Sequence, residues 1–419
     1  MQNKNLNTKN IIIFGLLYSS LILGFILNED STGGALADFG AYKRYINAFL
    51  DNFWETFLNY DQLKERHSPV YIMLLSAFYH LNIPENIIRF LNLNFSLISI
   101  LFFYKCLKLK FKDINNNYLI LISLVFFISP TYRSLSIWPD SRIFGFHFFV
   151  ISTFYYLKFI YVKKEIFYCY LNIFFLALSA YFSINFCVFS IFFLYQYYCS
   201  LKFSKKFINC IILNLILAFP AFYYLFVLDI FFLITGATPG NYTNDIGIKN
   251  NFNIANKLLI ISSIIMFYFL PIILIKKKLF IYTNRFKINE IIFLLAFFLI
   301  LVKFFNYQLS FTGGGIFLHL SQIIFNNNIL FFLISFYSLA FIYKICEKNL
   351  ENFIIIILIF LSNPQLSIYH KYYDPLLFFL IFSLLNLNLS KSFFKFKNII
   401  LIYIFHFFFL FISFIKFIL

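Results

Sequence analysis

Four polar clusters interrupt an otherwise apolar chain, and their residue types suit one kind of reaction. Asp30 and Asp38 follow the first apolar run, and Asp38 precedes an amphipathic turn carrying Tyr42 and Tyr45. Arg66 and His67 lead through Ser68 and Pro69 into the apolar run 70–78. Asp140 and Arg142 follow a run that ends near residue 134, and His370, Lys371 and Asp374 follow one that ends near residue 362. Carboxylates beside cations fit a displacement at a carbon that carries a phosphate. A carboxylate takes the proton of the attacking hydroxyl as the new bond forms, and cations steady the departing phosphate. The stretch 28–80 alone holds seven of the 17 acidic residues: Glu29, Asp30, Asp38, Asp51, Glu55, Asp61 and Glu65. No phosphate-cradling glycine loop, HExxH, GxSxG or CxxC pair occurs. An ATP-driven pump and a zinc hydrolase therefore lack their usual machinery.

The elements that must position these residues are membrane helices. Hydrophobic residues make up 62% of the 419 and charged residues only 12%, against roughly 25% charged in soluble domains. Apolar runs of about 20 residues recur, and they do not alternate as barrel strands would. Backbone in lipid must satisfy itself, so each run is expected to be a helix. The expected fold is an all-α polytopic bundle of about 13 transmembrane helices in one domain, 1–419. The runs are 11–27, 87–107, 118–134, 143–162, 166–183, 185–200, 207–228, 258–275, 290–305, 328–344, 352–362, 376–389 and 398–418. The 13-residue run 69–81 is too short to span and is expected to lie in the outer interface within the outer loop 28–81, as is the segment 316–325. A second polar outer loop is expected at 235–256.

Charge orients the bundle. Lys4 and Lys9 precede the first helix and set the N-terminus in the cytoplasm. On this path the whole net charge of +17 falls on the cytoplasmic side and the outer side sums to zero. The basic excess is then a positive-inside signature, and no nucleic-acid partner is called for. The six cysteines lie in or beside apolar helices without metal-ligand spacing, so neither a disulfide framework nor a metal site is expected. The four polar clusters all fall outside, at the membrane edge, where a lipid-linked phosphate would sit beside an apolar groove. Glycosyl transfer from a polyprenyl-phosphate sugar needs a base, cations and such a groove.

At these residues a resemblance emerges. Asp38-x-x-x-Tyr42, then His67-x-Pro69-x-Tyr71, resembles the first outer loop of the GT-C class of glycosyltransferases. This class includes protein O-mannosyltransferases, the lipid-A aminoarabinose transferase and bacterial polyprenyl-phosphate mannosyltransferases. Ser129-Pro130 with Trp138-Pro139-Asp140 resembles their second outer loop. His370-Lys371-Tyr372-Tyr373-Asp374-Pro375 is similar to their late Arg-Tyr-x-x-Pro element, with Lys371 in the arginine place. Phe39 and Gly40 follow Asp38 where the class carries a second acidic residue. The resemblance implies Asp38 and Asp140 as catalytic carboxylates. It implies Tyr42, Arg66, His67, Arg142, His370 and Lys371 as substrate contacts. It further implies a polyprenyl-phosphate-linked sugar as donor, the lipid bilayer as partner, and a divalent cation as a compatible though not required cofactor. The expected setting is a bacterial inner membrane with the site on the outer face. Oligomeric state is left open.

Plainer readings compete for each residue. Asp38 is an ordinary loop carboxylate or a helix cap, Asp30 a juxtamembrane charge, Asp140 a helix cap or an ion partner of Arg142, Arg66 and His67 headgroup anchors, and Lys371 a snorkelling side chain. The tyrosines 369, 372 and 373 suit an aromatic belt. Two other functions compete as well. An O-antigen-type polymerase or ligase would carry arginines in a large late outer loop, and 235–256 has none. A lipid flippase or transporter would carry ionisable residues in mid-helix and inverted repeats.

Overall fold

The computed structural model describes residues 2–63, 65, 67–228, 253–276, 286–309, 313–347, 349–363 and 367–418, with side chains described between residues 8 and 414 of these. It is all-helical, 80% helix, with no strand among the described residues. The chain divides into two compact units, one of residues 1–244 and 403–419 and one of residues 245–402.

Eight helices among the described residues are long and apolar enough to cross a bilayer: Thr8–Ile26, Glu85–Lys110, Ser141–Tyr161, Ile184–Leu201, Lys205–Val227, Ile254–Ile275, Ile329–Cys346 and Phe396–Phe414. A bent pair, Asn116–Ile128 with Pro130–Ile137, makes a ninth if it acts as one span. The remaining expected runs are also helical but shorter: Ile166–Phe182, Ile288–Lys303, Leu350–Leu361 and Leu376–Ser383. Much of the expected loop 235–256, up to residue 252, lies outside the described residues.

In the first unit, α1 (Gln2–Ile26) leads into the loop that carries the acidic cluster. Asn28, at φ 57°, ends it. The Glu29 N–H returns to the Gly24 carbonyl at 2.8 Å, the six-to-one bond of a left-handed helix cap that Asn adopts more readily than most residues. The helix α2 (Ala35–Asp51) follows. Its buried residues Ala35, Phe39, Tyr42, Tyr45, Ile46 and Phe49 recur at helical spacing, so α2 lays one stripe against the unit and leaves the other to its surroundings. After the short helix α3 (Phe53–Leu58) comes α4 (Pro69–His80), with Ser68 capping its N-terminus and Pro69 in its first turn. The run expected in the interface is therefore a helix of its own, buried along Tyr71, Ile72 and Leu75.

The helix α5 (Glu85–Lys110) precedes the bent pair. Its first arm is α6 (Asn116–Ser123), continued by a 3-10 turn, Leu124–Ile128; the second is α7 (Pro130–Ile137). One helix was expected over 118–134, but the two arms meet at 67°. Pro130 has no N–H to continue the ladder and disfavours helical backbone at Ser129. Ser129 instead caps α7 by accepting from the Tyr132 N–H. The unit continues through α8 (Ser141–Tyr161), α9 (Ile166–Phe182), α10 (Ser190–Leu201) and α11 (Lys205–Phe222). Its apolar helices are tied by buried polar contacts of the kind that hold membrane helices together. Asn172 of α9 donates to the Ser152 carbonyl of α8 at 2.9 Å and accepts from the Tyr197 hydroxyl of α10 at 2.8 Å.

In the second unit, α12 (Ile254–Ile275) is the most apolar span. It is followed by α13 (Ile288–Lys303), α14 (Gly315–Phe325), α15 (Ile329–Cys346), α16 (Leu350–Leu361) and α17 (Leu376–Ser383). The chain closes with α18 (Phe396–Ile418).

Candidate functional site

A buried ion pair fixes the start of the site. Arg133 of α7 meets Glu29 through Nε to Oε1 at 2.7 Å and Nη2 to Oε2 at 2.6 Å, and both side chains are almost fully buried. The remaining Arg133 donors reach Ser20 and the Phe127 carbonyl, each at 3.0 Å. This parallel two-bond geometry is the strong form of an arginine–carboxylate contact. Nearby, Arg89 donates to the Asn28 side chain at 2.8 Å and stacks 3.6 Å over the Trp138 ring, while the Trp138 indole donates to the Glu29 carbonyl at 3.0 Å. The end of α1 is thus held by α5, α7 and the residue after α7.

A Cβ at Gly24 would overlap the Glu29 carboxylate, whereas one at Gly15 on the same helix would meet nothing. Gly15→Ala is therefore expected to leave the melting temperature unchanged or raise it, by helix propensity. Gly24→Ala is expected to destabilise by about 1–3 kcal/mol through overpacking. Equal melting temperatures for the two variants would show that Glu29 does not occupy this place.

Asp30 builds the next turn. Its carboxylate accepts from the N–H groups of Gly34, Ala35 and Leu36 at 2.9–3.2 Å. It covers the otherwise orphaned donors at the start of α2. This is a capping role, where the sequence suggested only a juxtamembrane charge. Ser31 donates to the Pro130 carbonyl at 2.9 Å and Thr32 N–H to the Ser134 hydroxyl at 2.9 Å, so the entry to α2 is docked on α7.

One turn into α2, Asp38 meets Arg142, with Nη2 to Oδ2 at 2.7 Å. Arg142 is held from behind by Asp140, through Nε to Oδ1 at 2.9 Å and Nη2 to Oδ2 at 2.6 Å. Asp140 also caps α8 by accepting from the Arg142 N–H. The two carboxylates differ in exposure: the Asp38 side chain is 39% exposed and that of Asp140 only 1%. Burial alone would raise the Asp140 carboxyl, but the Arg142 charge and hydrogen bonds more than offset it and hold the group below the usual range. Tyr42 links the helices, its hydroxyl 3.2 Å from that of Ser141. Burial pushes that phenol well above its ordinary value, with the Asp140 charge adding to the effect.

His67 stands beside this group, its ring 5.8 Å from Tyr42. Nδ1 lies 2.5 Å from Glu65 Oε1, which also accepts from the His67 N–H at 2.9 Å. Burial works to raise the Glu65 carboxyl, but the His67 hydrogen bond and charge outweigh it and lower it from 4.5 to about 2. A carboxyl whose folded value is depressed contributes stability that is complete above its unfolded value and is lost as pH falls toward the folded one. Thermal unfolding followed from about pH 6 down to about pH 3 is expected to show an acid loss in the native chain, up to ~2 kcal/mol, that Glu65→Gln lacks. Parallel pH profiles would mean that Glu65 gains nothing from His67.

The site therefore gathers Asp38, Tyr42, His67, Asp140 and Arg142 from the expected set. Arg66 lies outside the described residues. His370 and Lys371 belong to the second unit and form a group of their own there. His370 Nε2 lies 3.1 Å from the Tyr268 hydroxyl of α12, Asp374 hydrogen-bonds the same tyrosine, and Lys371 sits 5.3 Å over the Tyr369 ring. Lys257 in the first turn of α12 is buried and donates to the Asn363 carbonyl at 2.7 Å. Among the described residues no group of three or more His, Cys, Asp or Glu side chains could hold a metal ion.

The sequence reading passed over Glu29, Glu65, Arg89, Arg133 and Ser141 as site residues. One signal was available: Arg133 is a lone cation inside an apolar run, and such a residue needs a named partner. No protein-family model, curated protein or solved structure matches the chain.

Proposed function

We propose that the chain is a membrane glycosyltransferase of the GT-C kind. On this reading about 13 helices cross a bacterial inner membrane, the N-terminus is cytoplasmic and the site faces outward. A sugar moves from a polyprenyl-phosphate donor to an acceptor outside the cytoplasm. Four helices shorter than a full span, α9, α13, α16 and α17, complete the count of 13.

The observation that carries the reading is the unequal carboxylate pair on Arg142. Asp38, more than a third exposed, is oriented by an arginine that the buried Asp140 holds in place. Asp38 then takes the proton of the acceptor hydroxyl as that oxygen bonds to the anomeric carbon. Asp140 positions Arg142 and does not itself meet substrate. Tyr42 and Ser141 keep α2 in register with α8. Arg66 is assigned to the donor phosphate by its place in the chain and its charge.

The test is the lipid and glycan profile of cells lacking the chain. One surface sugar should disappear while its polyprenyl-phosphate form accumulates. An unchanged profile in both pools would remove the transferase reading and favour a transporter.

A further inference from the structure

The proposed transfer needs a cation that meets the departing phosphate close to Asp38. Arg142 already has two of its nitrogens on Asp38 and Asp140, so its charge is spent on those two carboxylates. Among the described residues, a neighbouring group with an open edge is His67, whose side chain is 31% exposed while that of its partner Glu65 is 9% exposed.

The pair is built rather than incidental. Glu65 Oε1 takes both the ring Nδ1 and the backbone N–H of His67. The Glu65 carboxylate also hydrogen-bonds Tyr45, whose hydroxyl accepts from Arg44 at 2.8 Å. The buried Tyr60 donates to the His67 carbonyl at 2.8 Å. Ring and backbone of His67 are thus fixed from several sides. With Nδ1–H donating to the Glu65 carboxylate, Nε2 is the nitrogen left for a ligand, and it is the imidazolium form of the ring that donates from Nε2 and supplies the cation. The His67 ring lies 5.8 Å from that of Tyr42, whose hydroxyl is 3.2 Å from that of Ser141 between Asp140 and Arg142, which places the imidazole beside that group.

Resting on the transferase reading, we propose that His67 is a catalytic residue whose Nε2–H hydrogen-bonds the departing phosphate, and that Glu65 is its positioning residue. In the step, the acceptor oxygen bonds to the anomeric carbon and its proton passes to Asp38. The bond from that carbon to the phosphate oxygen breaks, and its electron pair stays on the phosphate. His67 donates to that oxygen as the charge develops.

The experiment uses the full chain in lipid nanodiscs and two probes, a C55 polyprenyl monophosphate and the matching uncharged C55 polyprenol. Binding of each is read by native mass spectrometry for the native chain, His67→Ala, Glu65→Gln and Glu65→Ala. The native chain should prefer the phosphate. His67→Ala and Glu65→Ala should lose about tenfold or more of that preference, with Glu65→Gln intermediate, while polyprenol binding is unchanged. A folding defect would weaken both lipids alike and leave the ratio intact, which counts against the proposal. A native chain that prefers the phosphate, with variants that keep the preference, overturns the role of the dyad and leaves the transferase reading standing. A native chain with no preference overturns both.

Discussion

Asp38→Asn is expected to insert and fold as the native chain does and to lose transfer by about 10²–10⁴-fold, the contribution of a positioned general base. The amide keeps the shape of the side chain and can still accept from Arg142, but it cannot hold the acceptor's proton. Donor KM should change little, because the loss falls on a contact made in the transition state rather than on ground-state binding. Asp30→Asn offers the comparison. Its carboxylate lies on the N–H groups of Gly34, Ala35 and Leu36, so its loss should weaken a helix cap by about 1 kcal/mol and spare most of the turnover. Complementation of a deletion strain, scored by return of the missing surface sugar, separates the two. Full complementation by Asp38→Asn would dismiss it as the base.

The second large effect is structural. Arg133→Ala should destabilise the first unit by about 3–5 kcal/mol, because it leaves the Glu29 carboxylate buried without its partner. Glu29 and Arg133 are each almost fully buried, and besides Glu29 the acceptors of the guanidinium are the Ser20 hydroxyl and carbonyl in α1 and the Phe127 carbonyl in the turn before α7. Removing both charges should cost less than the sum of the single changes, since the double variant strands neither group. Additive single effects of less than about 1 kcal/mol would mean the pair is solvated and does not hold the loop. The same variant tests how the loop serves the site: the entry to α2 is docked on α7 by Ser31 and Thr32, so loss of Arg133 should also lower turnover.

The helices were legible because lipid leaves the backbone one local solution, and every apolar run that the hydropathy marked contains a helix, though the run 376–389 is helical only as far as Ser383. The amphipathic turn at Tyr42 and Tyr45 was legible too, but it begins earlier than expected: Asp38, read as lying before the turn, is already in the first turn of α2. The bend at Ser129-Pro130 was not anticipated, although the local chemistry of a residue before proline was in view. Partnerships across the chain were harder. Glu29 and Arg133 are 104 residues apart, and nothing local to either names the other. Glu65 stood two residues from His67, but only the turn geometry brings its carboxylate to the ring. The grouping of His370 with Tyr268, 102 residues earlier, was likewise beyond what spacing conveys. Asp140 was weighed both as a cap and as an ion partner of Arg142, and it serves as both.

Transfer by the purified chain is the most direct measurement of the central claim. The chain, in lipid nanodiscs, is given the polyprenyl-linked sugars and the incomplete surface glycan extracted from a deletion strain, and each lipid-linked sugar is followed by mass spectrometry. The account predicts that the native chain consumes one polyprenyl-phosphate sugar and extends the glycan by that residue, while Asp38→Asn leaves both pools as they were. Consumption at equal rates by native and Asp38→Asn chains, or no consumption by the native chain, would contradict it.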